Sequence, residues 1–129
     1  MTAAAAITIN DGQATPVAVT FTPESVTSDV ATFADRTAGV AVGFRRLSIS
    51  NKFAKGTSKV NRAKMTIEYP VTTLVNGVTQ VAYTLRGSLD VILPDQATDA
   101  ERKNLYAFIS NGLANASVRG ALRDLDPLY

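Results

Sequence analysis

From the start of the chain to Pro94, apolar and polar residues largely alternate, and beyond Thr98 the apolar ones recur every three or four positions. The first rhythm belongs to strands with one buried face, the second to amphipathic helices. Short β-branched runs at Ala5 to Ile9 and Val17 to Phe21 flank Asp11-Gly12 and predict an N-terminal hairpin with a glycine-bearing turn. Thr22 to Ser28 reads as a connector, because Pro23 has no N–H to give to a ladder. Val30 to Phe33 reads as a short edge strand. Three longer strands are predicted at about Val40 to Asn51, Val60 to Tyr69 and Thr79 to Leu93.

Alternation also assigns faces. In the second long strand Ala63, Met65, Ile67 and Tyr69 point to the core, and Arg62, Lys64, Thr66 and Glu68 point away from it. In the third, Val81, Tyr83, Leu85, Leu89, Val91 and Leu93 form the apolar set, and Thr84, Arg86, Ser88 and Asp90 the polar one. In the first, Leu47 and Ile49 go inward and Arg46, Ser48 and Ser50 outward, with Lys52 next in line. Val40, Val42 and Phe44 run in the opposite phase, so a bulge or bend is expected near Arg45. Downstream, Thr98-Asp99-Ala100-Glu101 is a capping box that starts a helix. Leu105, Phe108, Ile109 and Leu113 form its apolar stripe, and Asn111-Gly112 marks a stop or kink. A second short helix carries Val118, Leu122 and Leu125 before Pro127. Strands followed by helices indicate an α+β fold, the helices covering the apolar face of an antiparallel sheet.

Composition removes several chemistries. With 129 residues the chain is expected to be a single domain spanning 1–129. It has no cysteine, histidine or tryptophan, so disulfides, thiolate chemistry and the commonest general base and metal ligand are excluded, and no cofactor is expected. No apolar run approaches the ~20 residues of a membrane span. The alanine-rich start has neither a basic n-region nor a secretory h-region, so the expectation is a soluble protein of a cytoplasm-like space without membrane or small-molecule partners. The carboxylates are scattered through loops, a helix N-terminus and the chain end. Glu68 and Asp90 share the polar sheet face, where charge balance with Arg62, Lys64 and Arg86 explains them better than acid–base catalysis. Gly39, Gly43 and Gly56 lack the spacing of a phosphate loop.

Charge is the informative feature. The formal net charge is only +2, yet the window from Arg36 to Ile67 has eight basic residues and no acidic one. A basic sheet face suits a polyanion such as RNA, whereas a solvated Lys- and Thr-rich strand surface is the plainer reading of the same pattern.

Several segments resemble the coat proteins of the small icosahedral single-stranded RNA bacteriophages, the levivirus-like phages. They are RRLSIS at Arg45 to Ser50, KMTIEYP at Lys64 to Pro70, a following loop with Asn76-Gly77, the strand ending SLDVILP, TDAER at Thr98 to Arg102, and the terminal LDPLY. The likeness runs in order from about Arg45 to Tyr129; before that it rests on the hairpin. It implies an N-terminal hairpin, a five-stranded antiparallel sheet and two C-terminal helices. Two chains would interlock as a homodimer with a continuous sheet, and dimers would tile into an icosahedral shell. The virion would assemble in the bacterial host cytoplasm.

The same resemblance implies roles for particular residues. The loop Val71, Thr72, Thr73, Leu74, Val75, Asn76, Gly77, Val78 and Thr79 would make the five-fold and quasi-six-fold contacts. The inward sheet face would bind genomic RNA and a hairpin at the replicase start, repressing translation, through Arg46, Ser48, Ser50, Lys52, Arg62, Lys64, Thr66, Glu68, Arg86 and Ser88. Arg86 stands where several relatives have a base-stacking tyrosine, and Ser88 where they carry Asn or Asp, which alters the expected hairpin preference. A free dimeric RNA-binding repressor that never assembles is the competing reading, and a small β-rich hydrolase the weaker third.

Overall fold

A computed structural model describes residues 2–129. One antiparallel sheet contains six strands in chain order: β1 (Ile7–Asn10), β2 (Ala18–Val26), β3 (Val30–Asp35), β4 (Arg45–Lys52), β5 (Val60–Val75) and β6 (Val78–Pro94). Two helices follow, α1 (Asp99–Ala114) and α2 (Ala116–Arg123). The α+β class and strand-then-helix layout match the sequence reading. The strand count is six rather than five because β2 is both the second arm of the N-terminal hairpin and a member of the sheet that follows.

The sheet differs from expectation where local chemistry overrides the pattern. The β1–β2 connection is an open loop, not a tight glycine turn. In it the Asp11 carboxylate accepts from the Val17 and Gln13 amides at 3.0 and 3.3 Å, while the Asp11 amide donates to the Val17 carbonyl at 2.9 Å. Strand β2 runs through the predicted connector to Val26; the ladder shifts register between Pro23 and Ser25, and such an irregularity accommodates a residue without an N–H. Strand β3 lies between β2 and β4 and is no edge. The bend expected near Arg45 is the start of β4, since Ala41–Gly43 forms a 3-10 turn and the 40–44 stretch is not strand. Gly43 suits that turn: a Cβ there would meet Ala38 Cβ at 3.0 Å and Thr72 Cγ2 at 3.3 Å, closer than ordinary van der Waals contact, so the turn lies against β5.

The chain divides into two compact units, one running to Ile92 and one from Leu93 to Tyr129. In the first, Phe21, Phe33 and Leu47 are buried and Ile7, Val19, Ala31, Ile49 and Ile67 pack on them. Cross-strand register explains the cluster, because Phe33 faces Leu47 and Leu47 faces Ile67. In the second unit the capping box forms as predicted: Thr98 Oγ1 accepts from the Glu101 amide at 3.3 Å, and the Thr98 amide donates to Glu101 Oε2 at 2.8 Å. The break between the helices falls at Asn115 rather than at Asn111-Gly112. The Asn115 side chain accepts from the Ser117 and Val118 amides at 3.0 and 3.4 Å and so caps α2, leaving Gly112 inside α1. No residue of either helix is buried, and the stripe residues Phe108, Leu113 and Leu122 are exposed.

Candidate nucleic-acid interface

Strands β4 and β5 set the geometry. Residues directly opposite in an antiparallel pair share a face, and the register places Arg46 opposite Glu68, Ser48 opposite Thr66, Ser50 opposite Lys64, and Lys52 opposite Arg62. Strand β3 extends three of these rows with Ala34, Thr32 and Val30. The eight candidates on β4 and β5 therefore form one continuous ladder on the side opposite Leu47, Ile49, Met65 and Ile67. Arg86 Nε on β6 lies 3.8 Å from Glu68 Oε1, which brings Arg86 to the edge of that ladder, and Ser88, two residues further along, points the same way. The pair between Glu68 and Arg86 is the charge balance expected of that carboxylate.

The ladder is not uniformly cationic. At one end Arg46 Nε donates to Glu24 Oε2 at 3.2 Å, and its guanidinium lies 5.9 Å from the Phe44 ring centroid, with Arg36 at 5.8 Å from the same ring. Glu24, across the β2 bulge, lies outside the basic window, so its neutralising role is invisible in the local charge pattern. At the other end no carboxylate among the described residues pairs with Lys52, Arg62 or Lys64. The sheet thus carries a charge gradient, compensated toward Arg46 and uncompensated toward the β4–β5 turn.

A second ionic site lies on the other face. Asp35 is only 2 % exposed; Arg45 Nε donates to its carboxylate at 2.8 Å, and the Thr37 hydroxyl and amide donate at 2.9 and 3.2 Å. The Arg45 guanidinium lies 5.3 Å from the Tyr69 ring centroid. Burial pushes the Asp35 carboxyl up, but the Thr37 and Arg45 hydrogen bonds and the Arg45 charge outweigh it and hold it below the ordinary aspartate value. Of two adjacent arginines, one therefore serves the core and one the polar face. The parity shared by Phe33, Asp35, Arg45 and Leu47 was the available signal.

The segment from Val71 to Thr79 is not a loop. Val71 to Val75 end β5, Val78 and Thr79 begin β6, and only Asn76-Gly77 turn, with φ of 51° and 78°. Positive φ at both positions is the geometry of a two-residue hairpin turn, for which Asn-Gly is the preferred pair. Among the described residues no cluster of three or more His, Cys, Asp or Glu side chains is arranged to hold a metal, and no helix is long and apolar enough to cross a membrane.

Comparison with known proteins decides what this sheet belongs to. The family model of the levivirus coat protein matches residues 2–129. The chain belongs to the levivirus coat protein family. Solved structures share the fold over nearly the whole length. The virus-like particle of Beihai levi-like virus 21 superposes with a TM-score of 0.91 at 22 % identity, covering 99 % of both chains. That of bacteriophage ESE058 gives 0.90 at 23 % identity over 99 % of this chain and 100 % of its own. The capsid protein of bacteriophage GA gives 0.76 at 20 % identity over 98 % of both. No curated protein sequence matches the chain. A levivirus coat protein is a structural component of the virion, and this sheet is the coat-protein sheet.

Proposed function

We propose that the chain pairs as an interlocked homodimer, that dimers close into an icosahedral shell, and that the polar face of the sheet is turned inward onto single-stranded genomic RNA. An RNA hairpin at the start of the replicase gene occupies the same face when the dimer acts as translational repressor. The two compact units work as one coat-protein domain in that dimer, and assembly takes place in the host cytoplasm. The function is structural and uses no catalytic group or cofactor. The observation that carries the RNA reading is the cross-strand ladder from Arg46–Glu68 to Lys52–Arg62, whose far end has cations without carboxylate partners among the described residues.

The dimer reading is supported by what one chain leaves uncovered. Strand β6, 17 residues long, lies at the end of the strand order, so one of its edges has no neighbouring strand among the described residues; a long free edge is a template for a second strand. Tyr83 and Leu85 on it are exposed by 60 % and 55 %, and Phe108 on α1 by 74 %; large apolar side chains left in water are what an association surface presents. A second copy pairing along β6 and laying its helices across the sheet would cover all three. The segment from Val71 to Thr79 makes the shell contacts, its base anchored at Thr72 against Gly43 and its Asn-Gly tip free.

Electron microscopy of the purified protein at moderate salt tests the shell. Uniform closed particles are expected, and a preparation that stays as dispersed dimers with bound RNA would replace the shell with a non-assembling repressor.

A further inference from the structure

The turn that joins β4 to β5 has a feature that the ladder does not use. Phe53, directly after Lys52, is 72 % exposed although it is a large aromatic. Lys55 and Lys59 lie in the same turn, and Lys52, Arg62 and Lys64 at its base. The nearest carboxylates in sequence are Asp35 and Glu68; the first is buried with Arg45 and the second pairs with Arg86. The turn is shaped rather than loose. The Ala54 amide donates to Asn61 Oδ1 at 2.9 Å, the Ser58 amide donates to the Lys55 carbonyl at 3.0 Å, and Gly56 takes a φ of 59°. The Ala54 bond ties the residue after Phe53 to the start of β5 and so limits where the ring can go.

We propose that this hairpin end is a separate subsite for unpaired RNA, in which the Phe53 ring stacks on one base while Lys52, Lys55, Lys59 and Arg62 hold the flanking phosphates. The proposal rests on the reading that the adjoining sheet face receives RNA, and it adds a base-stacking contact beyond the sheet. An aromatic face amid cations is the arrangement by which proteins grip single strands without reading sequence, because every base offers a π-face and every nucleotide a phosphate. Two residues along a strand advance roughly 7 Å, so Lys52–Arg62 and Ser50–Lys64 form successive rungs leading from the turn onto the ladder. A strand stacked at Phe53 would be continuous with one lying on the sheet. The main competitor, burial of Phe53 against another copy of the same turn, would bring two sets of uncompensated lysines together.

The chain has no tryptophan, so Phe53→Trp supplies a single reporter. Titration of that protein with single-stranded oligoadenylate should quench its emission in step with binding. Phe53→Ala should weaken oligoadenylate binding roughly tenfold at every salt concentration with an unchanged log–log salt slope, and Phe53→Tyr should restore it. Lys55→Ala with Lys59→Ala should instead reduce the slope by roughly 1.4, about 0.7 for each phosphate no longer neutralised. Emission that stays constant while the oligonucleotide binds with ordinary salt dependence would overturn the Phe53 subsite and leave the RNA-facing sheet standing. Loss of particles by Phe53→Ala with unchanged RNA affinity would equally overturn it, in favour of an interface between copies. Absence of any RNA binding would fail both this proposal and the reading beneath it.

Discussion

At the scale of single residues, adjacent Arg45 and Arg46 have opposite fates because strand parity sends them to opposite faces. Arg45 closes a buried ion pair with Asp35 beneath the sheet, and Arg46 meets Glu24 above it. Asp35 has a lowered pKa in the fold, so its ionised form is the one the fold favours. That contribution is complete above the ordinary aspartate value of 3.8 and is lost as pH falls through the lower native value. Asp35→Ala, which strands Arg45 and the Thr37 donors, should cost about 3 kcal/mol in urea unfolding at neutral pH and fixed protein concentration. The cost should shrink in acid, as pH falls below the ordinary aspartate value and through the lower native one and the wild-type carboxylate becomes protonated. A variant as stable as wild type at neutral pH would show that the pair contributes nothing.

At the scale of elements, the long strands and the capping box were legible because they depend on period and local hydrogen bonding. Met65 and Ile67 alternate with Lys64 and Thr66 whatever lies across the sheet, and Thr98 and Glu101 satisfy each other within one helical turn. What escaped the pattern depends on partners distant in sequence. Val40, Val42 and Phe44 look like strand, but Gly43 has to approach Thr72 closely, and that residue follows 29 positions later. The polar face was legible as a face, whereas its gradient was not, since Glu24 reaches Arg46 from a strand outside the basic window. The Val71–Thr79 segment reads as a loop from its Val, Thr and Asn-Gly content, and the same β-branched residues instead extend two strands to a tight turn. Deleting Asn76 and Gly77 with the flanking Val75 and Val78 should impair shell closure while the dimer retains its circular dichroism and its elution volume. Normal particles from that variant would make the tip a bystander.

At the scale of the whole molecule, one sheet carries two chemistries. Beneath it lie Phe33, Leu47 and Ile67; above it runs a ladder of hydroxyls and charges that ends in cations with no carboxylate partner among the described residues. The most direct test is the RNA affinity of the Lys64→Ala, Arg86→Ala double variant, followed across a salt titration beside the wild type. An RNA-facing ladder predicts weaker binding at low salt and a log–log slope shallower by roughly 1.4 if each cation neutralises one phosphate, in a dimer that stays folded. Wild-type affinity and slope in a folded double variant would contradict it, and would move the RNA to another surface of the coat protein.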